Sequence, residues 1–591
     1  MITMNKHKIS IVCIVVFLSS LFLLLGVGYS KSYHPGFFPD EFAHMGYVID
    51  VINNHFPDYK NGLIYSSNKL NYLNHPALYY IIVGELVTFL HLQDTFAYAG
   101  RYVNMVVSVI IIILTCKMIY LATKSTIATF VGGAFLLTIP MFVVLGSAVN
   151  NDQINILGCT LVIYGLHGLM RRVGETKIIT SNIFLICLGG IVASLSKATG
   201  SLAILCLLTS VVIFNFYNVM QLIKKIPLKQ LIFIILSVAV VVFYFTYAHI
   251  VYGKFYPAPQ SNPAVWFFIE HPNTEKMDLS AFFQYFFRNN FLSLILPYGH
   301  VQFADSEIRV VTLKMILSMS GVMGGYVLFR KLLKKNGYFN LEFSFIAAFV
   351  LFLGLYFFTI RQLHINTGYI GATQARYFFG FLPVISLVIA KVTSLISNKI
   401  IKTLVLAVML VGLLTSIYPA LVKFSEMHIW KSKFIVEQPL YDTNYGFLTK
   451  GRTFDQIILA ESKSIYGVEL MLATFARKNH GYLTLELLDS SGKSIASNTV
   501  KMERLKDNAY VWFDLHHSGL IENQQYRLRL KCDECTQDNA ITWWAFKQEF
   551  ESSVFLLNRF GPATRNIYSR GEACVDGAHV GGAYSFRLYF Q

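Results

Sequence analysis

The sequence predicts a polytopic α-helical membrane protein of about eleven spans, with a C-terminal extracytoplasmic β-sandwich of jelly-roll-like character. Three observations predict it. Charged residues make up 14% of the 591 positions and hydrophobic residues 54%, whereas soluble domains carry roughly 25% charged residues. Apolar runs of about 20 residues, the length that crosses hydrocarbon about 30 Å thick, recur between residues 9 and 420. Past Pro419 these runs give way to alternation at period 2. Such a composition, with mean hydropathy +0.51, excludes an ordinary soluble enzyme. It also excludes a disordered chain, because low hydrophobicity is what keeps such chains unfolded.

The first span, Ile9 to Tyr29, has no small-residue cleavage site and more spans follow it, so it reads as an uncleaved helix rather than a signal peptide. Further runs lie near 102–122, 127–146, 153–170, 179–195, 199–216, 230–251, 309–329, 342–360, 376–392 and 402–420. With a cytoplasmic N-terminus, the short inner loops hold Lys6, Lys8, Lys117, Lys124, Arg171, Arg172, Lys177, Lys224, Lys225, Lys229, Arg330, Lys331, Lys334, Lys335, Lys391, Lys399 and Lys402. Glu175 is the only acid counted among them. Short inner loops are the ones that carry such an excess of Lys and Arg. Seventeen cations less one acid equal the whole net charge of +16. The surplus is therefore a topology signal and gives no support to nucleic-acid binding. Pro76 to Leu90 is too short for a span, and counting it would invert every later loop, so it reads as an interfacial helix on the outer face. The large outer segments are 31–101, 252–308 and 421–591, the last a separate domain after a membrane domain of 1–420.

In that last segment Leu483, Leu485 and Leu487 alternate with Thr484 and Glu486, and Phe586, Leu588 and Phe590 with Arg587 and Tyr589. Half-buried strands separated by polar turns such as Asp489-Ser490-Ser491-Gly492 argue a β-sandwich. Cys532 and Cys535 favour an extracytoplasmic disulfide over a metal site, which wants four ligands. Cys574 is then unpaired. Trp543 and Trp544 suit either stacking on sugar rings or the core.

The inner loops are too small for a catalytic domain, so chemistry falls to the outer loops and helix ends. Pro39-Asp40-Glu41-Phe42-Ala43-His44 follows the first span, and ionisable residues at a membrane edge suggest function. Paired acids near lipid suit a general base. Asn74-His75-Pro76, Asn150-Asn151-Asp152, Ser196-Lys197-Ala198-Thr199-Gly200 and Gln374-Ala375-Arg376-Tyr377 join it on the same face. Each has a structural alternative: Asp40 and Asp152 as helix N-caps, Lys197 and Arg376 snorkelling to headgroups. Together, two acids and two cations on one membrane face suit glycosyl transfer from a polyprenyl phosphate. The cations stabilise the leaving phosphate and an Asp activates the acceptor hydroxyl. No P-loop or dinucleotide fingerprint is present.

At these residues the chain resembles the GT-C superfamily of integral-membrane glycosyltransferases, which take sugars from polyprenyl-phosphate donors. The pattern is nearest to a bacterial membrane-protein family whose first outer loop reads Pro-Asp-Glu-x-x-His, and is more distantly similar to protein mannosyltransferases and the aminoarabinose transferase of lipid A. The resemblance covers about residues 10–420 and rests on Pro39-Asp40-Glu41 with His44, His75-Pro76-x-Leu78-Tyr79-Tyr80, Arg101, Pro140, Asn151-Asp152, Lys197-x-Thr199-Gly200 and Gln374-x-Arg376-Tyr377. It implies Asp40 as catalytic base, Glu41 and Asp152 as further acids of the site, and Lys197, Arg376 and Arg101 at the donor phosphate. His44, His75, Gln374 and Tyr377 are then substrate-binding. The sequence departs from the lipid A transferase pattern at His75-Pro76-Ala77, where that family has Lys-Pro-Pro. Some relatives use a divalent metal, so the resemblance leaves a divalent metal open as a cofactor, although Asp40, Glu41, His44 and Asp152 form no fixed-spacing metal motif. The expected partners are a polyprenyl-phosphate sugar donor, a glycan, glycolipid or protein acceptor, and the bilayer of the inner membrane.

Two alternatives stand beside an inverting glycosyltransferase. A surface-polysaccharide polymerase or ligase using diphosphate-linked oligosaccharide would make Arg288, His271 and His300 more important than Asp40. A glycan-binding transporter would show internal repeats and mid-membrane polar residues, and neither is evident.

Overall fold

The computed structural model describes residues 6–33, 35–36, 38, 40–57, 75–92, 96–171, 176–253, 255, 273–295, 307–333, 340–425, 432–438, 441, 443–547, 568 and 570–591. His271 and His300, like Pro39 and Asn74, lie outside the described residues.

The helical part begins with α1 (Lys6–Ser32), then α2 (Glu41–Asn54), α3 (Leu78–Phe89), α4 (Phe96–Thr123), α5 (Thr126–Leu137), α6 (Pro140–Leu145), α7 (Asp152–Arg171) and α8 (Thr176–Ser194). It continues with α9 (Ala198–Phe214), α10 (Phe216–Ile223), α11 (Leu228–Tyr252), α12 (Leu279–Ile295), α13 (Glu307–Leu333), α14 (Asn340–Thr367), a 3-10 turn at Ala375–Phe381, α15 (Leu382–Leu395) and α16 (Lys399–Ser425).

Among the described residues, eight helices are long and apolar enough to cross a membrane. The other three expected spans are helical but irregular. The run near 199–216 ends in a bend of 99° between α9 and α10. The apolar part of α8, Thr180–Ser194, is short. The run 127–146 is broken, because Pro140 lacks the N–H that would continue α5 and instead opens α6. The break is tolerated because Leu136, Leu137, Ile139, Met141 and Phe142 are all enclosed by protein; irregular backbone at membrane depth needs such cover. At the other extreme, α11 exposes Ile235, Val238, Phe243 and Ile250, as a lipid-facing helix should.

Lys391 requires a correction. Read as a loop cation, it lies within α15, 9% exposed, and donates to Glu342 Oε1 of α14 at 2.6 Å. A buried cation needs a buried partner, and Glu342 supplies it at the helix end opposite the site. This pair belongs to the packing of the bundle rather than to a charged loop.

The all-β part runs from Phe434 to Phe590. One sheet orders its strands β1 (Phe434–Gln438), β13 (Phe586–Phe590), β4 (Ser464–Ala473), β9 (Thr542–Phe546), β12 (Ala583–Tyr584), with β2 (Thr443–Asn444) on β9 and β7 (Ala509–Ser518) on β4. The other orders β11 (Ala578–His579), β10 (Ala573–Val575), β3 (Thr453–Leu459), β8 (Gln525–Lys531), β5 (Tyr482–Leu488), β6 (Ser494–Lys501). All pairings are antiparallel, and the alternating residues Leu483, Leu485, Leu528, Leu530, Val468, Leu470 and Phe513 meet in one core between the sheets. Cys532 and Cys535 are disulfide-bonded, and Cys574 is a buried free thiol. Trp543 is core: fully buried, its indole N–H donates to Ser585 O at 2.9 Å and its ring stacks on Tyr584.

Candidate functional site

Four charged side chains from four parts of the chain meet where α1 hands over to α2. Asp40 stands at the N-cap position of α2 with φ 59°, a left-handed conformation that Asp tolerates better than most residues. Its side chain makes no capping hydrogen bond. It pairs instead with Arg376 Nη2. Asp152 opens α7, but the capping acceptor there is Asn150, whose Oδ1 takes the Asp152 N–H at 2.9 Å. The Asp152 carboxylate is thereby left to Lys197, which donates to its Oδ1, while its Oδ2 lies 3.9 Å from Arg376 Nη1. Neither acid is used as a cap, and neither cation snorkels: Lys197 is 5% exposed and Arg376 4%. Asp40 is 32% exposed, so it alone of the four is open to an incoming molecule.

The scaffold fixes the backbone that carries the two cations. The turn before α9 that carries Lys197 is tied down when Asn151 donates to Ser196 O at 2.7 Å and Leu78 N donates to Leu195 O at 3.0 Å. Gly200 lets α9 approach α8 and α7: a Cβ there would stand 2.3 Å from Ala193 O and from Asn155 Oδ1. Arg376 sits in the 3-10 turn, anchored by Ala375 N donating to Ser293 Oγ at 2.7 Å. The Tyr377 ring lies 4.7 Å from Lys197 Nζ and 5.6 Å from the Arg376 guanidinium carbon, and stacks on Tyr356. Gln374 precedes this turn with its Oε1 buried and without a hydrogen-bond partner among the described residues.

His44 and His75 lie face to face with ring centres 6.2 Å apart, and His44 Nδ1 is 2.7 Å from the Tyr80 hydroxyl. Burial, then the charges of Lys197 and Arg376, push His75 down to about 3. Burial, then His75, hold His44 well below its ordinary value. Both rings are therefore neutral near pH 7. Tyr80, whose ring stacks at 3.7 Å on Tyr47, joins this group; its only sequence signal was the Leu78-Tyr79-Tyr80 run.

Glu41 and Arg101 are drawn elsewhere. Arg101 Nε and Nη2 donate to the two Glu41 oxygens at 2.8 and 2.7 Å, and Nη1 donates to Ser30 O and Tyr33 O at 2.6 and 2.7 Å. Val149 N and Gly36 N each donate to Glu41 at 2.8 Å. Both side chains are 0% exposed. This is a closed assembly, and it welds the end of α1 to the starts of α2 and α4. Arg288 is exposed on α12.

Among the described residues no three His, Cys, Asp or Glu side chains are grouped to hold a metal. Asp40 and Asp152 face cations of the chain itself, a donor set that does not suit a further divalent ion.

An apolar cavity of about 540 Å³ is bounded by α12, α13, α14 and α15 and reaches the 3-10 turn. Ala375, Phe378 and Phe379, on either side of Arg376 and Tyr377, line it together with Phe286, Phe349 and Leu353.

No family model matches the chain, and no curated protein matches it. Among solved structures it is similar to ArnT from Cupriavidus metallidurans bound to undecaprenyl phosphate, with 12% identity, 69% of this chain and 76% of that chain covered, and a TM-score of 0.45. The same protein in the apo state matches with 12% identity, 68% and 77% covered, and a TM-score of 0.33. The Archaeoglobus fulgidus oligosaccharyltransferase in complex with zinc and sulfate matches with 11% identity and a TM-score of 0.36; 70% of this chain covers 52% of that one. The chemistry of this chain has to come from its own residues.

Proposed function

We propose that the chain is an inverting glycosyltransferase of the outer membrane face, moving a sugar from a polyprenyl-phosphate donor to a hydroxyl of a cell-surface glycan, glycolipid or protein. The observation that carries it is one partly exposed carboxylate, Asp40, paired with the buried Arg376, whose neighbours Ala375 and Phe378 line an apolar cavity, with the Asp152–Lys197 pair alongside. A phosphate head would sit on Lys197 and Arg376, and its isoprenoid tail would lie along the cavity. The acceptor hydroxyl gives its proton to Asp40 as its oxygen attacks the anomeric carbon from the face opposite the phosphate. The bond from that carbon to phosphate oxygen breaks, and its electron pair leaves with the polyprenyl phosphate. The phosphate gains one negative charge while Asp40 loses one, so the charge of the site is unchanged through the step. Arg376, paired with Asp40 before the donor arrives, moves onto the phosphate and restores the basicity of the carboxylate. Asp152 keeps Lys197 charged and aimed. Gln374 Oε1 and the neutral His44 and His75 would read sugar hydroxyls. Glu41 and Arg101 hold the fold and take no part in the chemistry. The positive loops support an N-terminus in the cytoplasm and the β-sandwich outside.

Asp40→Asn should insert and bind undecaprenyl phosphate like the wild type while transfer from tritiated undecaprenyl-phosphate sugars to membrane acceptors is lost. Full transfer by that variant sinks the assignment. A polymerase or ligase would instead lose activity in Arg288→Ala and retain it in Asp40→Asn.

A further inference from the structure

We infer that the β-sandwich is a positioning module for Asp40: it grips the turn that carries this residue and sets where the carboxylate stands. The inference rests on Asp40 being the base.

Within the bundle the turn is held through Glu41 and by His44 N donating to Asp40 O at 3.2 Å. Asp40 itself is left-handed and its side chain does not cap α2, and a second hold comes from outside. Three contacts from the sandwich supply the hold. First, the Phe42 ring, two residues past Asp40, meets the edge of Tyr441 at 4.7 Å. Tyr441 in turn packs on Trp544 at 5.3 Å, and the Trp544 indole N–H is anchored on Asn508 Oδ1 at 2.7 Å. Behind Phe42 stands Gly36, with φ 87°, where a Cβ would come within 2.2 Å of the ring. Phe42 is thus held between the loop leaving α1 and the sandwich.

Second, a buried polar clasp joins β1 and β13 to α4. Arg587, 2% exposed, donates from Nε to Glu437 Oε2 at 2.9 Å and from Nη2 to the Tyr98 hydroxyl at 3.3 Å. Tyr98 donates to the same Glu437 oxygen at 3.3 Å. The Tyr98 ring stands 5.8 Å from the guanidinium carbon of Arg101, whose carboxylate partner Glu41 is the neighbour of Asp40. Third, Phe546 at the end of β9 is fully buried in the apolar cluster of Tyr47, Val48, Tyr79, Phe96 and Val149, which joins α2, α3 and α4.

The first two contacts fall on the first turns of α2 and α4, and the third on the cluster that joins α2, α3 and α4. A structural anchor would serve anywhere on the bundle, whereas this one sits on Phe42, two residues past the base, and on Tyr98, beside the Arg101 that binds Glu41. A displacement of about 1 Å in a reacting group costs on the order of 100-fold in rate, so a loosened grip should be read in turnover.

The test uses the full chain in nanodiscs, with tritiated undecaprenyl-phosphate hexoses and pentoses as donor probes. Modification of Asp40 by a water-soluble carbodiimide, read by mass spectrometry, is a second readout that needs no donor. Tyr441→Ala and Tyr98→Phe should each lower kcat tenfold or more with donor KM within twofold, and change the Asp40 modification rate several-fold. Tyr441→Phe should restore both. The inference is overturned if these variants lower Tm or folded yield but leave kcat per folded molecule and Asp40 modification unchanged. Should Asp40→Asn retain transfer, the assignment of the base fails separately, and the modification rates still report whether the sandwich positions Asp40.

Discussion

Asp40 and Glu41 are consecutive carboxylates with opposite surroundings. Glu41 is fully buried, bound through both oxygens by Arg101 and by backbone N–H groups. Asp40 is one third exposed and shares Arg376 with a second acid. The left-handed backbone at Asp40 sends the two side chains apart, one toward α1 and α4, the other toward the α7, α9 and 3-10 elements. The difference separates two uses of an ion pair at a membrane edge. One is saturated and rigid. The other contains an accessible member.

The largest effect that breaks this contrast is expected at the closed pair. Glu41→Ala leaves Arg101 buried without its counter-charge, a loss of about 3–5 kcal/mol. Native proteins are stable by only about 5–15 kcal/mol, so folded yield in membranes should fall sharply, measured by detergent-solubilised size-exclusion chromatography. Arg376→Lys keeps a charge but removes the planar fork that pairs with Asp40 and, in the proposed mechanism, passes to the phosphate. The expected result is normal yield with transfer down about 100-fold, the scale of losing one charge-stabilising group. Gly200→Ala forces a Cβ against Ala193 O and Asn155; overpacking costs about 1–3 kcal/mol and shifts the Lys197 turn, seen as a lower Tm and weaker undecaprenyl phosphate binding.

The smallest effect is the pH dependence of His75. Its folded value near 3 lies below its ordinary 6.5. The unfolded chain therefore takes up the proton first, and stability present above pH 6.5 is lost as pH falls toward 3. Tm should drop between pH 7 and pH 5, and less so in His75→Gln. A Tm equally flat in both proteins would contradict the neutral, buried ring.

Much of the fold was legible because hydropathy is a local property. The apolar runs and the period-2 strands mark helices and sandwich wherever the chain supports itself. The three irregular spans were not legible as such, because α5 and α6 depend on being enclosed by other helices, which a window of sequence does not contain. Lys391 was misread for a similar reason: a cation at a span's end looks the same whether it meets headgroups or Glu342. At the site, residue types and their common membrane face pointed to Asp40, Asp152, Lys197 and Arg376, yet the division of labour between Asp40 and Glu41 is written only in backbone direction. The clasp of Tyr98 with Arg587 joins residues 489 positions apart and left no local signal.

The most direct test of the account is single-turnover transfer from undecaprenyl-phosphate sugars by Asp40→Asn, with undecaprenyl phosphate binding measured on the same preparation. The account predicts binding retained and transfer reduced about 1000-fold, within the range for loss of a general base. Transfer at the wild-type rate with binding intact would contradict it.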